Sequence, residues 1–302
     1  VVHLLGPTDI RLLSARLGFI PSKRWGQNFV VDVGTVRRIA RIAGVEAGQH
    51  VIEVGPGLGS LTLALMEKGA TVSAIEIDPL LARALPETVA EHAPDERGSL
   101  EVIPLDAMHL EPGIVAAAWK RRSIAAPTAL VSNLPYNVGV PVILHTLEVL
   151  PSVTRMLVMI QAEVADRIVA PPGSRTYGIP SAKVAWYASA RRVGDVGRAA
   201  FWPVPRVDSA LVLIERREPP ATTATRRDVF AVIDAAFAQR RKGLRAALAT
   251  VAGSATEAER ALRAVGLDPL TRGETLGIAE FARLAEALVP FPGKTRSGTV
   301  EP

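Results

Sequence analysis

The stretch VIEVGPGLGS, residues 51–60, decides the fold. An apolar run, HVIEV from His50, breaks into glycines at 55, 57 and 59, and SLTLALMEKG follows with a helical pattern. Glycine lacks a Cβ and accepts positive φ, so this strand–turn–helix lets a ligand come close to backbone. A lone G-x-G is also an ordinary turn. Here the next apolar run, TVSAIEID, carries Glu76 near its end, a spacing of 21 residues from Gly55. That is the spacing of a carboxylate that accepts hydrogen bonds from a ribose. The pair Gly55 and Glu76 therefore points to an adenosine-type cofactor.

A dinucleotide fingerprint would place its third glycine at position 60, where Ser60 stands. Glu53, two residues before Gly55, sets a carboxylate beside the turn. That opposes a pyrophosphate and suits a cofactor with an ammonium and a sulfonium, such as S-adenosylmethionine. No G-K-[ST] follows, so the turn is not a P-loop. E-x-G-x-G-x-G resembles the first motif of class I methyltransferases.

Around this turn, Thr8 is placed to cap a helix to about Leu17, SKRWGQNFV (22–30) reads as a loop, and Asp32 caps a helix to about Ala43. Beyond it, LEVIPLD, TALVSN and TRMLVMIQ read as further short strands, with helices over about Pro79–Ala90 and Gly139–Leu150. Short apolar strands alternating with helices predict a parallel sheet covered on both faces. The rhythm changes after TYGIPSAKVAWYASA. Segments 187–196 and 209–216 read as an antiparallel pair, and FWPVPRVDS between them is too Pro-rich for helix or ladder. From about residue 218 to Leu288 the chain reads as helical, and the tail from 291 to 302 as disordered.

VSNLPYN, residues 131–137, ends the fourth strand of that sheet. The exocyclic amine of adenine is a poor nucleophile because its lone pair is delocalised into the ring. Two acceptors, the Asn133 side-chain oxygen and the Leu134 carbonyl, can draw it toward a tetrahedral form. Pro135 fixes the direction of that carbonyl, and Tyr136 offers a ring to stack on the base. Such catalysis works by positioning and electrostatics, without a strong base or a metal. Standing alone, N-x-P-Y also reads as a capped helix start. Phe201 is placed to hold the base from its other face, although a buried hinge aromatic accounts for it equally. Unstacking a base costs a few kcal/mol, and a stacking ring returns about 1–3.

Composition narrows the classes. There is no cysteine among the 302 residues, which excludes disulfides, a thiolate nucleophile and thiolate metal sites; it fits a reducing cytoplasm. No apolar run reaches the roughly 18 residues of a membrane span, and the N-terminus lacks a signal-peptide pattern. The net charge of +5 is modest. Basic clusters stand at 120–122, at 191–192, and at Arg240, Arg241, Lys242 and Arg245, and together they suit a polyanion.

SKRWGQNFVVD, IEVGPGLGSLT, AIEID, PLDAM, SNLPYN, FWPVPRVDS, AFAQRRKGLRAAL and LDPLTRGETLGIAEFARL resemble, together, the KsgA-type ribosomal RNA adenine dimethyltransferases over about residues 20–288. The resemblance implies a Rossmann-like class I methyltransferase domain over 1–217 and a small all-α RNA-contacting domain over 218–290. It implies N6,N6-dimethylation of two neighbouring adenosines near the 3′ end of small-subunit (16S) rRNA, taken as naked rRNA or as a preribosomal 30S particle, by a cytoplasmic monomer. S-adenosylmethionine contacts are implied for Asn28, Val30, Gly55, Gly57, Glu76, Asp106 and Asn133. Asp106 holds the family position facing the adenine amino group; by itself it would read as a cap. Val30 departs from the family's usual Leu, at a contact that is main-chain or apolar. Erm-type dimethyltransferases of large-subunit rRNA share the core motifs; the Asn-Leu-Pro-Tyr-Asn form and the R-R-K-x-L-R segment favour the small-subunit reading. Two further classes, a non-catalytic assembly factor and a nicotinamide oxidoreductase, are compatible with the same sheet and less so with the motifs.

Overall fold

The computed structural model describes residues 1–21, 27–121 and 125–288. The start of the expected loop (22–26), Arg122 and the expected disordered tail lie outside the described residues. The chain divides into two compact units, Val1–Asp166 with Ser189–Arg216, and Arg167–Ala188 with Arg217–Pro302.

The first unit begins with helix α1 (Pro7–Arg16), strand β1 (Phe29–Val30) and helix α2 (Val33–Ala43). Then β2 (His50–Val54), α3 (Ser60–Glu67), β3 (Thr71–Glu76), α4 (Pro79–His92), β4 (Leu100–Pro104), α5 (Pro112–Arg121), β5 (Ala129–Asn133), α6 (Gly139–Val149), β6 (Arg155–Gln161) and α7 (Ala162–Ile168) alternate. Local chemistry sets the ends. The Asp32 carboxylate accepts the Thr35 N–H at 2.7 Å, and Gly44 closes α2 at φ +66°. At α1 the expected Thr8 cap is replaced. Pro7, with φ already helical, opens the helix two residues earlier, behind Gly6 as the cap, and Asp9 takes the Gly6 N–H at 2.8 Å.

Among the described residues, seven strands form one sheet in the order β4-β3-β2-β5-β6-β9-β7, where β7 is Ala188–Val196 and β9 is Ser209–Arg216. Strands β4 to β6 run parallel, and β9 pairs antiparallel with β6. Every residue of β2 is buried, as a central strand with two covered faces requires. The expected doubly covered parallel sheet with an antiparallel last strand is thus the fold. The structure adds one ladder. Phe201–Trp202 forms β8 and pairs antiparallel with β1, Phe29 against Trp202 and Val30 against Phe201. The sequence reads both dipeptides as loop, because two residues carry no periodicity.

The second unit holds α8 (Ile179–Tyr187), α9 (Arg226–Ala238), α10 (Leu244–Ala247), α11 (Ala249–Ala252), α12 (Ala255–Ala264) and α13 (Ile278–Leu288). Residues 167–188, expected within the first domain, belong here because α8 packs on α9 and α13. Lys183 pairs with Asp234 at 2.8 Å, and the buried Tyr177 hydroxyl donates to the Leu276 carbonyl at 2.8 Å. Tyr177 and Phe237 meet at 5.9 Å between centroids, and Phe237 meets Phe281 at 6.2 Å. Burial pushes the Tyr177 phenol up to about 12, so it remains a donor.

Tyr177→Phe keeps the ring and leaves the Leu276 carbonyl without its partner. The expected loss is about 1–3 kcal/mol of unfolding free energy. Urea denaturation followed by circular dichroism checks it, and an unchanged midpoint would show that this bond contributes nothing.

Candidate active site

The parallel register aligns the strand ends. Val51 stands opposite Ala129, which brings Gly55 and Asn133 to one level, and Gly55 donates its N–H to Ile75 at 2.8 Å beside Glu76. On the far side Glu76 pairs with Pro104, two residues before Asp106. A cavity opens at this edge. Its wall includes Asn28, Val30, Gly55, Gly57, Glu76, Asp106 and Asn133, the whole expected cofactor set, together with Leu134, Pro135 and Tyr136.

The turn fits a close ligand. Gly55 and Gly57 adopt φ of +69° and +59°. A Cβ on Gly57 would stand 2.6 Å from the Phe29 ring, so Phe29 packs against the turn where only glycine fits. Ser60, at the first position of α3, has a buried hydroxyl without a hydrogen-bond partner among the described residues, and it lines the cavity. A buried hydroxyl without a partner is rare in a folded protein, and this residue stands in the cavity wall. Ser60 is not among the expected site residues, although its place at the third position of the glycine fingerprint is legible in the sequence. Phe29 and Gln27, which also line the cavity, carry no comparable signal; Gln27 donates to Asp78 at 3.2 Å.

Glu76 is held as an acceptor. Its two oxygens take the N–H groups of Gly57 at 3.1 Å and Asp78 at 2.9 Å, and lone pairs remain for a diol. Burial raises its pKa, against the pull of these backbone donors. Glu53 differs from the expectation. It is 1% exposed, accepts the Thr62 hydroxyl at 2.6 Å, and burial pushes it up to about 8, with the Glu76 charge adding to the rise. The charge expected beside the turn is therefore suppressed by a proton near neutral pH. Asp106 does cap, accepting the Met108 N–H at 2.9 Å, and lines the cavity as well.

Asn133 donates its Nδ2 to the Asn28 carbonyl at 2.9 Å. A carbonyl only accepts, so this contact fixes which branch of the amide is NH₂ and leaves Oδ1 for a ligand. Leu134 has its N–H tied to Met159 at 3.0 Å. The Tyr136 hydroxyl meets Ser209 at 2.8 Å; burial raises its pKa. Phe201 is not brought to the cavity. It is 2% exposed in the core beside β1, so the expected second stacking face is not offered by this ring.

The basic quartet divides. Arg240, Arg241 and Lys242 occupy the turn between α9 and α10 and Arg245 lies in α10; all four are exposed, with Arg240 paired to Glu274 at 3.2 Å and Arg245 to Glu259 at 2.8 Å. Elsewhere Arg191 stands 3.9 Å from Glu215, and Arg192 pairs with Asp166 and Asp195. Among the described residues no group of three or more acidic or His side chains is arranged to hold a metal ion, and no helix is long and apolar enough to cross a membrane.

The profile of the family described as Ribosomal RNA adenine dimethylase matches residues 20–289. The chain belongs to that family. Ribosomal RNA small subunit methyltransferase A of Thermobifida fusca is 60% identical over 284 residues, 94% of this chain and 96% of the relative. Its namesake in Streptomyces avermitilis is 57% identical over 286 residues, 94% of this chain and 93% of its own length. Among solved structures, a dimethyladenosine transferase from Plasmodium falciparum superposes with a TM-score of 0.69 at 20% identity, covering 85% of this chain and 95% of its own, a likeness of fold. The 23S rRNA methyltransferase ErmE follows with a TM-score of 0.59 at 27% identity, covering 86% and 99%.

Glu53 gives the cofactor-free protein a pH dependence. Between the ordinary carboxylate value and about 8, the folded chain holds a proton that the unfolded chain has lost. Stability therefore falls as pH rises through that window, by up to about 1.4 kcal/mol per pH unit, and Glu76 acts in the same direction. Glu53→Gln should flatten this slope and raise stability at pH 8. Urea midpoints between pH 5.5 and 8.5 test it; an unaltered slope in the variant would place the proton elsewhere.

Proposed function

We propose that the chain transfers methyl groups from S-adenosylmethionine to the N6 atoms of two adjacent adenosines in the 3′-terminal hairpin of small-subunit (16S) rRNA, giving N6,N6-dimethyladenosines. The observation that carries the reading is one cavity lined by both the Gly55–Glu76 cradle and the Asn133–Tyr136 segment, in a chain 60% identical to a named small-subunit methyltransferase. ErmE, the large-subunit counterpart, is 27% identical. The intact Asn133, Leu134, Pro135 and Tyr136 weigh against a factor without catalysis.

S-adenosylmethionine supplies the electrophilic methyl group when bound. Glu76 accepts the ribose hydroxyls with the lone pairs that its backbone donors leave. The backbone at Gly55 and Gly57 and the Ser60 hydroxyl line the turn against the cofactor's amino-acid end, Asp106 faces the adenine amine, and Asn28 and Val30 close the near side. Oδ1 of Asn133 and the carbonyl of Leu134 accept the two hydrogens of the target amine and favour its tetrahedral form, while Pro135 fixes the carbonyl and Tyr136 stacks on the base. In each transfer the N6–CH₃ bond would form as the S–CH₃ bond breaks, the thioether product would leave, and N6 would lose one proton to solvent; one N–H then remains after the first transfer, and the second proceeds with a single acceptor engaged. A preribosomal 30S particle as substrate, a monomeric enzyme and a cytoplasmic location belong to the same proposal, as does RNA contact by the helical part from about residue 218.

Mapping of dimethyladenosine in small-subunit rRNA, with and without the gene, tests the reading directly; an unchanged pattern refutes it. Asn133→Ala removes one of two preorganised acceptors and should slow single-turnover transfer by about 10²–10³, with RNA binding retained. Near-normal transfer would take Asn133 out of the mechanism. For RNA, the exposed Arg241 and Lys242 should each contribute about 0.7–0.9 to the logarithmic salt slope of binding, and the carboxylate-paired Arg240 and Arg245 less. Filter binding at graded salt, with alanine at each position, distinguishes the two pairs.

A further inference from the structure

The segment FWPVPRVDS does not bring its aromatic ring to the cavity, yet its last residue touches the catalytic segment. Ser209 is fully buried at the start of β9, and its hydroxyl lies 2.8 Å from the hydroxyl of Tyr136. Its backbone is pinned on both sides. Ser209 stands opposite Gln161 in the β6–β9 ladder, and the carbonyl of Asp208 accepts the Ala162 N–H at 3.0 Å. Strand β6 in turn pairs with β5, Asn133 opposite Met159. The Ser209 hydroxyl is thus fixed to the same ladder that carries the Asn133 amide.

Resting on the function proposed above, we propose that Ser209 is a positioning residue for methyl transfer, whose hydroxyl holds the far end of the Tyr136 ring where the ring stacks the target adenine in reach of Asn133. The phenol oxygen lies on the Cβ–Cγ axis, so χ2 leaves it in place, whereas χ1 swings it through the widest arc of the side chain. A hydrogen bond there restrains that swing more than any contact near Cβ. Tyr136 is half-buried and lines the cavity. Ser209 lies at the hydroxyl end of the ring, outside the cavity wall, and acts through Tyr136 alone.

A double-mutant cycle tests this. Single-turnover transfer at saturating cofactor and RNA is measured for the wild type, Ser209→Ala, Tyr136→Phe and the double variant, with thermal melting and RNA affinity in parallel. Each single change should slow transfer about tenfold, since displacements of about 1 Å cost up to a hundredfold. The double variant should be no slower than the slower single, and RNA affinity should stay at the wild-type level. Wild-type rates in both singles overturn the inference. So do losses that multiply in the double variant, because the two hydroxyls would then act separately. Tyr136→Phe keeps the test decisive if Ser209→Ala does not fold, since a ring freed of its anchor must slow transfer by the same reasoning. Absence of transfer by the wild type itself would overturn the proposed function, and is read in an arm that no variant affects.

Discussion

Everything at the site depends on one pairing, the parallel ladder between β2 and β5. The sheet order reverses there, with β3 and β4 on one side and β6 on the other. Chain connections leave the two central strands in opposite directions, so no connection crosses between their carboxyl ends and a crevice opens. The pairing of Val51 with Ala129 sets the level of both turns that follow. A slip of one residue would turn the strand faces over and part Gly55 from Asn133. Because both strands are buried on both faces, that slip would expose no better packing and is strongly disfavoured.

A second, much smaller ladder closes the crevice. The pairing of β1 with β8 and the bond from Val31 N–H to the Ala200 carbonyl, 2.8 Å, lay the segment from Asn28 over the cavity edge. Phe29 packs on the turn at Gly57 and stacks with Trp202 at 6.3 Å between centroids. The Asn28 carbonyl then takes the Asn133 amide. The buried Phe201 thus bears on the site through backbone pairing with Val30, and the expected direct role of its ring yields to an indirect one.

What is legible in the sequence is local. The Asp32 cap, the strand at 50–54, the Gly55 turn and the Glu76 spacing each lie within about twenty residues and follow from short-range sterics and periodicity. What is not legible is set by partners far along the chain. Strands of two residues have no pattern, and Phe29 meets Trp202 across the whole first unit. The apolar run at α8 gives no sign that α9 and α13, rather than the sheet, will cover it. Arg240 and Arg245 look equal to Arg241 and Lys242 until Glu259 of α12 and Glu274, farther along the chain, reach them.

Glu53 shows how burial alters an argument without reversing it. The sequence places a negative charge beside the turn; the structure buries that carboxyl and protonates it near neutrality. Below about pH 8 a pyrophosphate would be spared the Glu53 charge, and above it would meet that charge across a medium of low dielectric. A cation fares differently. Its field lowers the cost of ionising Glu53, and the released proton is offset by a charge-assisted contact in the same low dielectric. A cation beside Glu53 thus favours its ionised form, whereas an anion favours its protonated one. The preference for a sulfonium cofactor over a dinucleotide rests on that difference in response, and no fixed charge is needed for it.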